Sequence, residues 1–207
     1  MAIKYWYKAS NGSDNWGTAS NWYLGSGGTG GTTSVPTATD DVILNAASGT
    51  GSVTIAAAAT CASLNCTGFT GTLAGTSTLA VTSTNTSNSF YFGASMSLTY
   101  TGTITISGSA NTLYFYATGK TITCNITISL SVGSLFYFAD PYSVNTGIVN
   151  FSSTSTLTLL SGFIGLSGLG YSQTINVGLF SSTGATTRAI YNYNGYATFN
   201  IIGVGTI

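Results

Sequence analysis

Gly102-Thr103-Ile104-Thr105-Ile106-Ser107 returns further along the chain as Cys124-Asn125-Ile126-Thr127-Ile128-Ser129, and then, in looser form, as Thr146-Gly147-Ile148-Val149-Asn150-Phe151. In the first two, branched apolar residues alternate with hydroxyl or amide residues, the period-two pattern of a strand with one buried face. A constant step keeps Ile104, Ile126 and Ile148 in register. A second series, Leu98, Ile122 and Val144, advances by a first step slightly longer than that and a second equal to it. A third is aromatic: Phe90-Tyr91-Phe92, Tyr114-Phe115-Tyr116 and Phe136-Tyr137-Phe138, with the same two steps. Strand-like segments that recur in one order at a fixed period mark a repeat architecture. The expectation is an all-β chain: a single-chain β-solenoid, or parallel β-helix, with about three short strands in each 22–24-residue coil. Ile104, Ile126 and Ile148 should then form one stacked column. The alternative is an antiparallel β-sandwich or jelly roll, favoured by the fading of the repeat after residue 160.

Working outward, the same kind of text fills most of the chain. Val53-Thr54-Ile55, Leu64-Asn65-Cys66, Thr72-Leu73-Ala74 and Thr78-Leu79-Ala80-Val81 read as short strands divided by Gly, Ser or Asn. No window holds apolar residues at three- and four-residue spacing over a helix's length. Residues 1–34 differ, because they hold Trp6, Trp16 and Trp22 and the run Gly25-Ser26-Gly27-Gly28-Thr29-Gly30-Gly31. They are read as an aromatic cap or attachment segment, and residues 35–207 as the body. Val35-Pro36-Thr37-Ala38-Thr39-Asp40-Asp41-Val42-Ile43-Leu44-Asn45 reads as a turn that feeds a strand of alternating and β-branched residues. The last stretch, Asn200-Ile201-Ile202-Gly203-Val204-Gly205-Thr206-Ile207, is strand-like to its end, and its open sheet edge calls for a covering partner or for this sequence to be a fragment of a longer chain.

Charge excludes several function classes. Only 4 % of the residues are charged, while 43 % are hydrophobic and 13 % aromatic, so a core can form and disorder is not expected. Nucleic-acid binding needs clustered cations, and Lys4, Lys8, Lys120 and Arg188 are scattered. Membrane insertion is not expected either, since stretches such as Leu159–Leu166 fall far short of the roughly 20 apolar residues of a spanning helix. Met1–Lys8 lacks the apolar core of a secretory signal, which predicts no export by that route. A neutral surface rich in Ser and Thr suits permanent contact with neighbours, because no ionic group has to be desolvated.

Catalysis finds few parts. The acids are Asp14, Asp40, Asp41 and Asp140, and there is no His. Neither the flanking carboxyl pair of a glycosidase nor the base-and-cation pair of a lyase is in view, so no catalytic residue, cofactor or metal ligand is assigned. Asp40 and Asp41 read as turn and strand-start residues rather than Ca²⁺ ligands. Cys61, Cys66 and Cys124 read as small core residues. The glycine run lacks the Lys of a phosphate loop. The tryptophans read as a small core that seals one end. Tyr91, Tyr114, Tyr116 and Tyr137 are the candidate surface contacts, for a glycan or a neighbouring subunit. Ice binding is weighed because some solenoids display stacked Thr-x-Thr rows. Thr103-x-Thr105 is such a row, but at constant period its neighbours are Asn125-x-Thr127 and Gly147-x-Val149. Thr121-x-Thr123 falls between Ser97-x-Thr99 and Ser143-x-Asn145, so neither array is regular.

Tyr5-Trp6-Tyr7, the pairs Asn15-Trp16 and Asn21-Trp22, the glycine run and Val35-Pro36-Thr37-Ala38-Thr39-Asp40-Asp41-Val42 together form a recognisable opening. It resembles the N-terminal region of repetitive β-helical bacteriophage virion proteins, of tail-fibre-like or capsid-surface kind. The resemblance extends from the N-terminus to about position 45, and Cys61, Leu64 and Thr67–Leu73 continue in similar style. It implies a virion structural protein, either a tail fibre or appendage or a capsid decoration. Such a protein is assembled in a host cytoplasm and works by rigid presentation and attachment. Its expected partners are copies of itself, other structural proteins and a cell-surface glycan. The competing expectations are an extracellular filament-forming or cell-surface adhesive solenoid, and a glycan-binding module.

Overall fold

A computed structural model of the chain describes residues 1–82, 90–108, 112–116, 121–130, 135–138, 147–152, 155–161, 163–166, 173–177, 179–182, 190–192 and 197–201. Their strands, in chain order, are β1 (Ile3–Trp6), β2 (Asp14–Asn15), β3 (Trp22–Gly25), β4 (Thr29–Thr32), β5 (Asp41–Ile43), β6 (Ser52–Ile55), β7 (Ala59–Cys61), β8 (Ser63–Asn65), β9 (Thr72–Gly75), β10 (Leu79–Val81), β11 (Phe90–Tyr91), β12 (Ser97–Leu98), β13 (Thr103–Gly108), β14 (Thr112–Tyr116), β15 (Thr121–Ile122), β16 (Asn125–Leu130), β17 (Leu135–Phe138), β18 (Gly147–Phe151), β19 (Thr156–Ser161), β20 (Phe163–Leu166), β21 (Gln173–Val177), β22 (Leu179–Ser182), β23 (Ile190–Asn192) and β24 (Ala197–Ile201). The chain is all-β: among the described residues, helical structure is limited to three-residue 3₁₀ turns.

The strands form four sheets. Ten strands run in the order β23-β20-β17-β14-β11-β8-β5-β1-β3-β4, and six in the order β22-β19-β16-β13-β10-β7. Two four-stranded sheets have the orders β12-β9-β6-β2 and β15-β18-β21-β24. From β5 onward, every lateral pair joins strands three places apart along the chain, and all of these pairs are parallel. The antiparallel sandwich is therefore not what this chain forms. Antiparallel pairing is confined, among the described residues, to β1 with β3 and β3 with β4.

Alternation along each strand sets the core. In β13, Ile104 and Ile106 are fully buried while Thr103 and Thr105 lie half-buried on the other face. The six-stranded sheet aligns Ala59, Leu79, Ile104, Ile126, Leu157 and Phe180 in one column. Beside it runs Cys61, Val81, Ile106, Ile128 and Leu159. Ile104 over Ile126 is thus as the spacing predicts. Ile148 is not in that column, because it lies in β18 of a four-stranded sheet, opposite Thr174. Leu98 and Ile122 also part company, pairing with Leu73 and Phe151 respectively, while Val144 lies outside the described residues.

The reason is the length of one connection. Phe115 to Thr121 is a step of six residues, whereas their lateral partners Phe138 and Asn150 are twelve apart. The extra chain delays the return to the six-stranded sheet, so the partner of Ile126 is Leu157 rather than Ile148. A constant period overlooks such an insertion. The aromatic series is displaced by one residue: Phe90 pairs with Phe115 and Tyr91 with Tyr116, then Tyr114 with Tyr137 and Phe115 with Phe138. Phenylalanine therefore lies beside phenylalanine and tyrosine beside tyrosine.

Neighbouring segments of the chain approach so closely that some positions exclude a side chain. A Cβ on Gly71 would overlap the Gly51 carbonyl oxygen, and one on Gly51 would overlap that of Gly12. Residues 1–34 join the same body: β1 pairs in parallel with β5, and all three tryptophans belong to the same buried cluster as Leu64 and Ile104.

Candidate contact surfaces

The N-terminal end is built around aromatic packing and one buried ion pair. Trp22 stands edge-on to Trp6 and Trp16, with ring centroids 5.2 and 4.8 Å apart, and its Nε1 donates to the Trp16 carbonyl at 2.7 Å. All three rings are at most 2 % exposed, which removes them as stacking platforms for a sugar. Lys4 occupies the inward position of β1, in register with Val42 and then Leu64. Alternation explains this placement, since Lys4 and Trp6 share the buried face. Its ammonium donates to Ser34 O (3.0 Å), Ser34 Oγ (2.8 Å) and Val35 O (3.1 Å), and it pairs with Asp40 Oδ2 at 3.1 Å.

Asp40 is equally committed. Its carboxylate accepts from Ala2 N (3.1 Å), Thr37 N (3.0 Å) and Thr37 Oγ1 (2.7 Å). Burial pushes its carboxyl up, but the bonds from Thr37, Lys4 and Ala2 more than reverse this and hold it at about 2. With Lys4 against Oδ2, the calcium reading has no room. Asp41 faces the other way and accepts from Ser63 Oγ at 2.6 Å. Asp14 pairs with Lys8 at 2.6 Å, and that ammonium, helped by Asn21 and the Asn15 amide, keeps its carboxyl well below the usual range. Asp140, Lys120 and Arg188 lie outside the described residues.

Cys61, Cys66 and Cys124 are free and buried, as small core residues should be. Burial pushes the thiols of Cys61 and Cys66 far above their ordinary range and that of Cys124 up to about 12. Tyr100 is buried too, its hydroxyl bonding to the Ser77 and Thr103 carbonyls, and burial raises it. Among the described residues, no three of His, Cys, Asp and Glu gather as a metal-binding group, and no helix is long and apolar enough to cross a membrane.

Two sheets offer surfaces for contact. On the ten-stranded sheet, Tyr5, Ile43, Asn65, Tyr91 and Tyr116 follow one another in register, and Tyr114 is opposite Tyr137 one column away. The four tyrosines singled out in the sequence thus fall as two lateral pairs in one sheet. On the six-stranded sheet the outward column is Thr60, Ala80, Thr105, Thr127 and Thr158, continued in register by Ser181. The neighbour of Asn125-x-Thr127 is Thr156-x-Thr158, not Gly147-x-Val149, and the row is more regular than the constant period suggests. Thr121 pairs with Asn150 and Ser97 with Thr72, so the second Thr array of the sequence does not form. Lys4 and Thr156-x-Thr158 are the residues sequence reading missed. Lys4 carried a signal, since alternation sets it on the same face as Trp6. The edge of β4 is irregular, with Gly30 and Gly31 at φ of +74° and +79°. The chain matches no family model, no curated protein and no solved structure.

Proposed function

We propose that the chain is a single-chain β-solenoid that serves as a non-enzymatic structural protein of a phage virion, a fibre, appendage or capsid decoration that presents and attaches through its faces. The observation that carries this reading is the rotation of the strands, with lateral partners three places apart in parallel series. Such a winding gives a stiff body whose lateral hydrogen bonds are satisfied from round to round. Eight parallel strands in the ten-stranded sheet, at about 4.8 Å each, give a stack of roughly 35–40 Å. The described acids serve structure: Asp14 and Asp40 pair with lysines, and Asp41 accepts from Ser63.

The N-terminal end favours an appendage over a filament that grows end to end. The β3–β4 hairpin covers β1, and the left-handed glycines of β4 spoil a regular edge for strand addition. Two measurements test the proposal. An experimental structure of the purified chain should show strands three places apart stacked in parallel around one axis, and any other lateral pairing would remove the solenoid. Antibodies to the chain should decorate an appendage or the surface of purified virions, and absence of the chain from particles by mass spectrometry would remove the virion role.

A further inference from the structure

From the outward face of the six-stranded sheet we infer an ice-binding surface, with ordered water as its ligand. The three central rows are Thr103-x-Thr105-x-Ser107, Asn125-x-Thr127-x-Ser129 and Thr156-x-Thr158. β10, β13 and β16 pair without a break in register, and the first irregularity comes beyond Ile128, on the way into β19. Hydroxyl positions therefore repeat at about 4.8 Å across strands and about 6.7 Å along them. The grid is broken by Ala80 and by Asn125, which carries no hydroxyl, and is bounded at one corner by the exposed Leu160.

Chemistry selects the occupant. No charged and no aromatic residue stands on the outward side of β7, β10, β13, β16 or β19 among the described side chains. Charges hold tight hydration shells of their own, and sugars bind most strongly on aromatic faces, so this surface suits neither ions nor glycans. A second copy is also a poor fit. Four strands by about five residues present roughly 300 Å², well under the ~800 Å² per partner of a stable interface. A lattice of water needs only what is here. Threonine offers a methyl that sheds loose water and a hydroxyl that donates and accepts, on a side chain stiff at χ1. The buried columns beneath, Ile104–Ile126 and Ile106–Ile128, support the grid from its inner side, and Asn125 Oδ1 accepts from Thr156 N at 2.9 Å, tying its row to the next.

The inference stands on this sheet alone, so its failure would leave the virion proposal intact. The test compares the full chain with Thr127→Lys, central to the grid, and Ser97→Lys, exposed on β12 of a four-stranded sheet, after circular dichroism shows all three folded. The wild type and Ser97→Lys should facet growing ice crystals and inhibit recrystallisation, and Thr127→Lys should lose both effects. A folded wild type that leaves ice unshaped would overturn the inference, as would a Thr127→Lys chain as active as wild type. A wild type inert on ice but dimeric, or retained on crystalline cellulose or chitin, would assign the face to a second copy or a polysaccharide instead.

Discussion

Replacing Asp40 by Asn removes the carboxylate that pairs with a lysine only 4 % exposed. The shape is kept, and Lys4 retains the Ser34 and Val35 oxygens, but its charge is then buried without a counter-ion. Breaking one side of a buried pair costs about 3 kcal/mol, or about 6–12 °C in Tm for a domain of this size. Lys4→Met should cost less, because the carboxylate keeps its donors from Ala2 and Thr37. The double variant should recover most of the Asp40→Asn loss, since removing the ammonium leaves a neutral pair of similar volume with no buried charge uncompensated. The pH dependence carries the same information. Asp40 sits at about 2 when folded against an ordinary 3.8, so its contribution is complete above 3.8 and is lost as pH falls through 2. That gap is worth about 2 kcal/mol, less whatever solvent screens at the chain end. Thermal and urea unfolding followed by circular dichroism at pH 7, 4 and 2 would show the wild type losing its advantage over Asp40→Asn across that interval. Single variants that each cost under about 0.5 kcal/mol and simply add would refute the reasoning.

Other substitutions test the packing. Gly71→Ala drives a methyl into the Gly51 carbonyl oxygen and the Phe69 ring, and should lower unfolding free energy by about 2 kcal/mol in urea titrations. Ile126→Ala opens a cavity between Ile104 and Leu157 and should cost about 3 kcal/mol, whereas Thr127→Ala, on the outward face, should stay within about 0.5 kcal/mol. Equal losses at the two positions would show the alternation to be misassigned. Cys61, Cys66 and Cys124 should resist iodoacetamide at pH 8 in the native protein and react in denaturant, as mass spectrometry would count.

Part of this molecule was legible in its residues, because part of its order is local. Alternation of period two needs no knowledge of the rest of the chain, and Ile104-Thr105-Ile106 and Ile126-Thr127-Ile128 announce both their strands and their buried faces. Composition likewise foretells an all-β core with little charge, and apolar bulk foretells the burial of Trp6, Trp16 and Trp22. Which strand lies beside which is another matter. Lateral partners depend on how much chain each connection uses, and connection length leaves no periodic trace. A step from Phe138 to Asn150 twice as long as that from Phe115 to Thr121 was enough to move Ile148 into another sheet. It also brought Thr156-x-Thr158 beside Asn125-x-Thr127. The Lys4–Asp40 pair is a tertiary fact too, since its members are distant in the chain and only the parallel seating of β1 on β5 brings them together. Local physics sets which way a side chain faces, and the lengths of the connections decide what it faces alongside.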